Sequence, residues 1–349
     1  TINKTMMRID LSKPLKPGEQ AEFSIKWWYN IQDRMFYGGR PGFEYFKDDD
    51  NYLYTICQWF PRLAMYNDVY GWQNKQFLGR GEFTLNFGDY EVNITVPADH
   101  VVAATGELQN AKAVLTKEQQ NRFKRAKTSK EPVLIITQDE ATINEKSRLK
   151  RTKTWRFKAQ NVRDFAFTTS RKFIWDAMGV KMGKRTVMAM SYYPKEANPL
   201  YERFSTKAVA QTITTYSKYT FDYPYPVAIS VEAANGMEYP MICFNYGRPE
   251  EDGTYSDRTK YGMISVIIHE VGHNYFPMIV NSDERQWTWM DEGLNTYLQF
   301  LTEQEWDRDY PSRRGPAKNI TYYMKGNKNS ISPIMTNSES IYQFGNNAY

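Results

Sequence analysis

The pentapeptide His269-Glu270-Val271-Gly272-His273 constrains this chain more than any other segment. It follows Ile264, Val266, Ile267 and Ile268, so the stretch from Lys260 to Asn274 reads as a buried helix. Residues four apart on a helix share one face, about one turn from each other, so both imidazoles reach a common point. The chain has only 3 His, the other being His100, which makes a chance pairing at this spacing a poor explanation. Two buried imidazoles on one face suit a single divalent ion, zinc above all. Glu270 sits beside the first histidine, where its carboxylate can accept a proton from water at that ion. Gly272 weakens the helix by its own propensity. A neighbouring element packed closely over this turn is the expected reason.

A catalytic zinc site takes three protein ligands and keeps one position open. The next helix candidate runs from Met290 to Gln304 and opens with Met290-Asp291-Glu292-Gly293-Leu294. Eighteen residues, 274–291, separate His273 from Glu292, enough for a helix end, a loop and an antiparallel return. Glu292 is the expected third ligand. Asp291 is its local rival, with an alternative place behind a ligand histidine as acceptor of the outer N–H. Trp287 and Trp289 read as core and cleft-wall residues.

The first part of the chain reads as β. Ala21 to Ile31 alternates, with Phe23, Ile25, Trp27 and Tyr29 on one face. Tyr52 to Phe60 is a further strand. Phe83 to Val96 reads as a hairpin around a Gly88-Asp89 turn. Val101 to Thr105, Val133 to Thr137, Trp155 to Ala159 and Asp164 to Thr169 follow as strands. Lys112 to Lys130 is polar and reads as a short helix or an excursion. The period then changes. Thr186 to Tyr193 is a strand, Ala208 to Tyr219 a helix, and Ala228 to Val231 a strand. After an Asn235-Gly236 turn, Met237 to Tyr239 runs into Pro240, whose missing N–H argues for an edge strand. The expected fold class is therefore α+β, with an antiparallel β sandwich or saddle domain over 1–172 and a mixed domain over 173–349.

With hydrophobic residues at 41 %, aromatic at 15 % and charged at 24 %, the chain belongs with globular proteins, not disordered or fibrous ones. Its 26 Tyr and 9 Trp suit sheets and cleft walls. The net charge is +5, concentrated between Lys112 and Arg156. No helix-turn-helix or finger accompanies those basic runs, so no nucleic-acid partner is expected. Cys57 and Cys243 each lie in a strand-like run and are expected as buried free thiols. No run of 18 apolar residues is present, so no membrane span is expected in this segment. Both ends read as cut. There is room for a signal peptide or a further domain outside these residues, so the location is left unknown, with periplasmic or extracellular slightly favoured over cytoplasmic. Oligomeric state is not legible.

These motifs resemble the aminopeptidase N family of gluzincin zinc metallopeptidases. The family carries HExxH, eighteen residues and then Glu. This chain has HEVGH, eighteen residues and then Glu292 within WMDEGLNTY, with Asp291 where the family usually has Asn. Asn274-Tyr275-Phe276-Pro277 stands where a WFG-like sequence is usual. Asn235-Gly236-Met237-Glu238-Tyr239 is similar to the family's GAMEN segment and keeps its Met-Glu pair. The resemblance implies that this edge strand pairs with substrate backbone and that Glu238 binds a free α-amino group, an arrangement consistent with strand addition and a charge-assisted contact. It implies a cleft-facing role for Gln58 in CQWFPRL, and substrate contact for Met237. It also implies a tyrosine that stabilises the oxyanion. Tyr349 is the best-placed candidate and Tyr342 the runner-up. The first part resembles the family's β saddle domain, including Asp164 to Phe167, and the second the start of its thermolysin-like domain, incomplete at the C-terminal side.

The expected function is then a zinc-dependent aminopeptidase acting on peptides with a free N-terminus. One zinc ion would be held by His269, His273 and Glu292, with Glu270 as general base and Tyr349 at the oxyanion. Three alternatives stay open: an endopeptidase with the same chemistry, a hydrolase of a small lipid epoxide, and a peptide-binding homologue without catalysis. Side-chain preference and peptide-length limits are not legible.

Overall fold

The alternation of Ala21 to Ile31, which predicts a strand, forms none in the computed structural model of the chain. This structure describes residues 1–349 apart from 80, 83, 326–328, 330, 342–344, 346 and 347. Phe23, Trp27 and Tyr29 are exposed, and the Trp27 indole N–H donates to the Trp59 carbonyl at 2.8 Å. Alternation defines the faces a strand would have. A strand also needs a neighbour to satisfy its N–H and C=O groups, and among the described residues 21–31 has none.

A two-stranded ladder of Ile2–Asn3 with Met6–Met7 and a helical turn over Arg34–Tyr37 precede the hairpin of β1 (Gly42–Phe46) and β2 (Asn51–Ile56). Then come β3 (Gly88–Pro97), β4 (Val101–Ala104) and β5 (Glu107–Leu108). The hairpin expected around Gly88-Asp89 does not form. Thr84 to Phe87 lies in no strand, and Phe83 falls outside the described residues. Helix α1 (Lys117–Ala126) occupies much of the polar 112–130 segment, β6 (Val133–Ile136) follows, and α2 (Gln138–Lys146) comes next. Both helices start on a capping box, Thr116 with Gln119 and Thr137 with Glu140, in which side chain and backbone satisfy each other's orphan donors. β7 (Thr152–Val162) explains the lost hairpin, because it pairs with β3 from Thr152 opposite Pro97 to Val162 opposite Gly88. That long ladder supplies more cross-strand pairs than a four-residue return arm can. With β8 (Phe167–Ser170), the first half makes a four-stranded antiparallel sheet, β1-β2-β8-β4, and a three-stranded one, β3-β7-β5.

The second half builds on β9 (Ile174–Met182) and β10 (Arg185–Tyr193). Helix α3 (Leu200–Tyr219) starts earlier than its sequence pattern suggests, because Leu200 and Tyr201 bury although the stretch to Lys207 is rich in polar residues. β11 (Val227–Glu232), β12 (Met237–Tyr239), β13 (Ile242–Asn245), α4 (Asp257–Gly272) and α5 (Leu294–Trp306) complete the elements that frame the site. The six-stranded sheet has the order β6-β9-β10-β11-β13-β12, and so takes one strand, β6, from before residue 172. β11 runs parallel to both β10 and β13, and its residues are buried throughout, as strands covered on both faces are. α3 packs on β9, β10 and β11, while α4 packs on β11, β12, β13, α3 and α5. Met237 to Tyr239 lies at the edge of its sheet, as Pro240 predicts. Cys57 and Cys243 are buried free thiols. The architecture is α+β with several sheets.

Candidate metal centre

Ser256 starts α4 by accepting from the Thr259 N–H, and the helix ends at Gly272 with His273 as its C-cap. His269 therefore sits in the last turn and His273 at the boundary, both buried. Residues 289–293 form a π-helical turn that runs straight into α5. Such wide single turns gather at functional sites, since they re-aim side chains without breaking the helix. This one carries Asp291 and Glu292, both buried.

Three donor atoms converge. His269 Nε2 lies 3.1 Å from His273 Nε2 and 2.9 Å from Glu292 Oε2, and His273 Nε2 lies 3.3 Å from the same oxygen. Donors about 2.0–2.1 Å from a shared tetrahedral centre stand about 3.3 Å apart, so this triangle is near the size zinc requires. The outer ring nitrogens decide the tautomers. His269 Nδ1–H donates to Gln299 Oε1 at 2.9 Å, and the Gln299 amide is oriented by its own N–H donating to Glu303 Oε1 at 2.8 Å. His273 Nδ1–H donates to the Phe276 carbonyl at 2.8 Å. Both Nε2 lone pairs are then left facing each other, which is unfavourable without positive charge between them. The donor set thus fits a divalent cation, and two imidazoles with a carboxylate suit zinc. Asp291 Oδ1 lies 3.0 Å from His273 Nδ1, behind the histidine. Of the two acidic rivals, Glu292 faces the convergence point and Asp291 faces away from it.

Burial raises the carboxyl of Glu292, but His273 and the close contacts with both histidines outweigh this and hold it well below the usual range. Burial lowers the His273 imidazole, and Asp291, Glu238 and Glu292 together more than reverse that. His269 is lowered by burial and by the neighbouring His273. Glu270 is raised well above its ordinary value by burial and then by Glu238. Glu238 is pushed up to about 7, by burial first, with His273 and Arg40 opposing and Glu82 assisting. Ligand-type atoms of Glu238, Glu270 and His273 all lie within 4.8 Å of one another, so a second acidic pair flanks His273.

The turn before β12 reaches this pair. A Cβ on Gly236 would come within 2.7 Å of Glu270 Oε1, so a larger residue there would press on the carboxylate. Met237 is buried in β12, opposite Phe244 of β13. Gln58 takes a left-handed backbone, φ 54°, and its N–H donates to Tyr239 Oη at 3.1 Å, which ties the segment after β2 to the edge strand. The Tyr349 ring centroid lies 5.6 Å from that of His269, and the Arg314 guanidinium lies over the Tyr349 ring, 4.6 Å from its centroid. The Tyr349 hydroxyl is raised by burial and by the nearby Glu292 and Glu270. Tyr342 falls outside the described residues. The close packing expected at Gly272 is present, since a Cβ there would stand 2.2 Å from Tyr216 Oη and 2.3 Å from Asn295 Oδ1. Sequence reasoning missed Asn295, Gln299 and Tyr216. Asn295 donates to the His269 carbonyl at 2.8 Å and is held by Tyr216 Oη at 2.7 Å. A usable signal was present: Glu292, Asn295, Gln299 and Glu303 recur at helical spacing as a buried polar stripe.

No family model matches this chain, and no curated protein matches it. Among solved structures it is similar to an M1 zinc metallopeptidase from Deinococcus radiodurans, at 16 % identity and a TM-score of 0.48, over 82 % of this chain and 52 % of that one. A mutant of that enzyme bound to a Tyr-Ser-Ala substrate is similar at 15 % identity and a TM-score of 0.45, over 82 % and 52 % of the two chains. The chain spans about half the length of these solved structures.

Proposed function

We propose that this chain is the catalytic part of a zinc-dependent aminopeptidase, with a saddle-like first half and a thermolysin-like second half. The observation that carries the reading is the triangle of His269, His273 and Glu292 donor atoms, with both outer imidazole N–H groups already committed to oxygen acceptors. Those three residues would hold the ion. Zinc bound there supplies Lewis acidity to the scissile carbonyl and to water.

The remaining steps belong to the chain's own side chains. Glu270 takes the proton of the attacking water and returns it to the departing amine. Its carboxyl, raised by burial and by Glu238, supports that role, because a carboxylate held above its ordinary range takes up a proton more readily. Glu238 receives the substrate ammonium, and a cation there relieves two adjacent carboxylates of their mutual repulsion. β12 offers its free edge to an extended peptide, with Met237 and Gln58 beside the first substrate residue. The Tyr349 hydroxyl donates to the oxyanion.

Cleavage of one peptide with a free and with an N-acetylated terminus, alongside zinc content by elemental analysis, tests this function. Blocking the amine is expected to lower kcat/KM by about a hundredfold or more, the scale of losing a buried charge pair. Equal cleavage of both peptides would replace the exopeptidase reading with an endopeptidase.

A further inference from the structure

We infer that Arg163 is a positioning residue for the metal centre: through a buried ion pair with Glu284 it fixes the loop whose Phe276 carbonyl orients His273. The inference rests on His269, His273 and Glu292 holding an ion.

Arg163 follows directly on β7 in the first half, and Glu284 lies in the loop between α4 and the π turn. Their side chains are 1 % and 3 % exposed. The contact is a two-pronged fork, with Arg163 Nη2 donating to Glu284 Oε1 at 2.7 Å and Nη1 donating to Oε2 at 3.0 Å. Nη1 also donates to the Pro277 carbonyl at 3.1 Å. Pro277 follows Phe276, the residue whose carbonyl accepts the His273 Nδ1–H. One guanidinium therefore grips the loop at two points, one of them a single peptide unit from the acceptor that sets the histidine's tautomer and ring angle.

Two arguments favour a geometric use over plain stability. A buried ion pair is a weak stabiliser, since an apolar pair of similar volume is often as good or better. A planar fork, by contrast, fixes direction as well as distance, which a lysine or an apolar contact does not. The loop also lacks a ladder of its own and leans on the first half elsewhere. The Asn281 side chain donates to the Leu85 carbonyl at 3.3 Å, and Arg285 donates to the Gln76 carbonyl at 2.6 Å. Outer partners of ligand histidines act on metal affinity by about ten- to a hundredfold, and Arg163 acts on such a partner.

The test compares the full chain with Arg163→Lys and with the double variant Arg163→Met/Glu284→Leu, which removes both charges and leaves neither unpaired. Zinc affinity is measured by chelator competition, the visible spectrum is recorded with Co²⁺ in place of zinc, and the melting temperature of the metal-free form is recorded. Both variants are expected to bind zinc about ten- to a hundredfold more weakly and to shift the Co²⁺ bands, while the double variant melts close to the parent. Parent-like zinc affinity and Co²⁺ spectrum in the double variant would overturn the inference and leave Arg163 a structural ion pair. A parent chain that takes up no zinc would remove the metal centre itself, and this inference with it.

Discussion

Glu270 holds one oxygen, Oε1, under Gly236, while its Oε2 has no hydrogen-bond partner among the described residues. A carboxylate so placed is available for proton transfer. Glu270→Gln keeps the shape and removes the basicity, so zinc content should stay at the parent level while kcat falls by about 10²–10⁴. Metal analysis and peptide turnover on the same sample check this, and retained turnover would refute the base. Asp176 makes a residue-level prediction away from the site. It is buried on β9, accepts from Tyr193 Oη at 2.7 Å and from the Thr206 hydroxyl, and is pushed up to about 7 by burial, with those two donors opposing. Its folded value lies above its ordinary 3.8. Between about pH 4 and pH 7 the folded protein therefore keeps a proton that the unfolded chain releases. Stability from this group is full below about pH 4 and declines as pH rises to about 7, by up to about 1.4 kcal/mol per pH unit. Asp176→Asn should lose that decline. Urea unfolding of both proteins at pH 5 and pH 7 reads it, and parallel changes in the two would count against the assignment.

Within α4 two glycines make opposite predictions. Gly262 is exposed with nothing within 4 Å of an added Cβ, so Gly262→Ala should stabilise by about 1 kcal/mol through helix propensity alone. Gly272→Ala has the same propensity gain, but its Cβ meets Tyr216 and Asn295 well inside contact distance. Overpacking of that kind costs about 1–3 kcal/mol, so the net effect should be destabilising, and it should disturb the Asn295 contact to the His269 carbonyl. Denaturant midpoints of the two variants provide the comparison, and a stabilised Gly272→Ala would show that α3 and α5 yield. α4 was legible in sequence because apolar periodicity and the histidine spacing are properties of one helix. The π turn at 289–293 was not, since its sequence reads as an ordinary helix start.

Across the whole molecule, Lys172 ties the two halves together. Its ammonium pairs with Asp49, with Glu145 at 2.9 Å and with Glu196 at 2.9 Å, and it lies 4.5 Å from the Phe46 ring centroid. The three acids have ligand-type spacing, yet the ammonium already occupies their midst, so they read as an ion-pair node and not as a second metal site. Lys195 joins the node through Glu145 at 2.6 Å. Lys172→Met leaves the buried Glu145 and its half-buried neighbours Asp49 and Glu196 short of one cation and should cost about 3–5 kcal/mol. Arg8→Ala, at an exposed pair with Asp10, should change nothing measurable. Urea unfolding decides between them, and a small effect at Lys172 would mean that Lys195 alone neutralises the cluster.

Spacing along one helix told where two histidines would meet, because a helix imposes its geometry on neighbours within a few residues of each other. Pro240 located the edge of the sheet because its missing N–H is likewise a local property. The matters that depend on distant partners were closed to such reading. Ala21 to Ile31 alternates but finds no partner strand among the described residues, and Gly88-Asp89 resembles a turn until β7 claims the strand. Gln299 and Arg163 come to support the histidines only because α5 and the first half fold against α4 and the loop that follows it. Hydrogen bonds between residues far apart in the chain have no period to betray them, so tertiary packing alone decides which side chains orient the site.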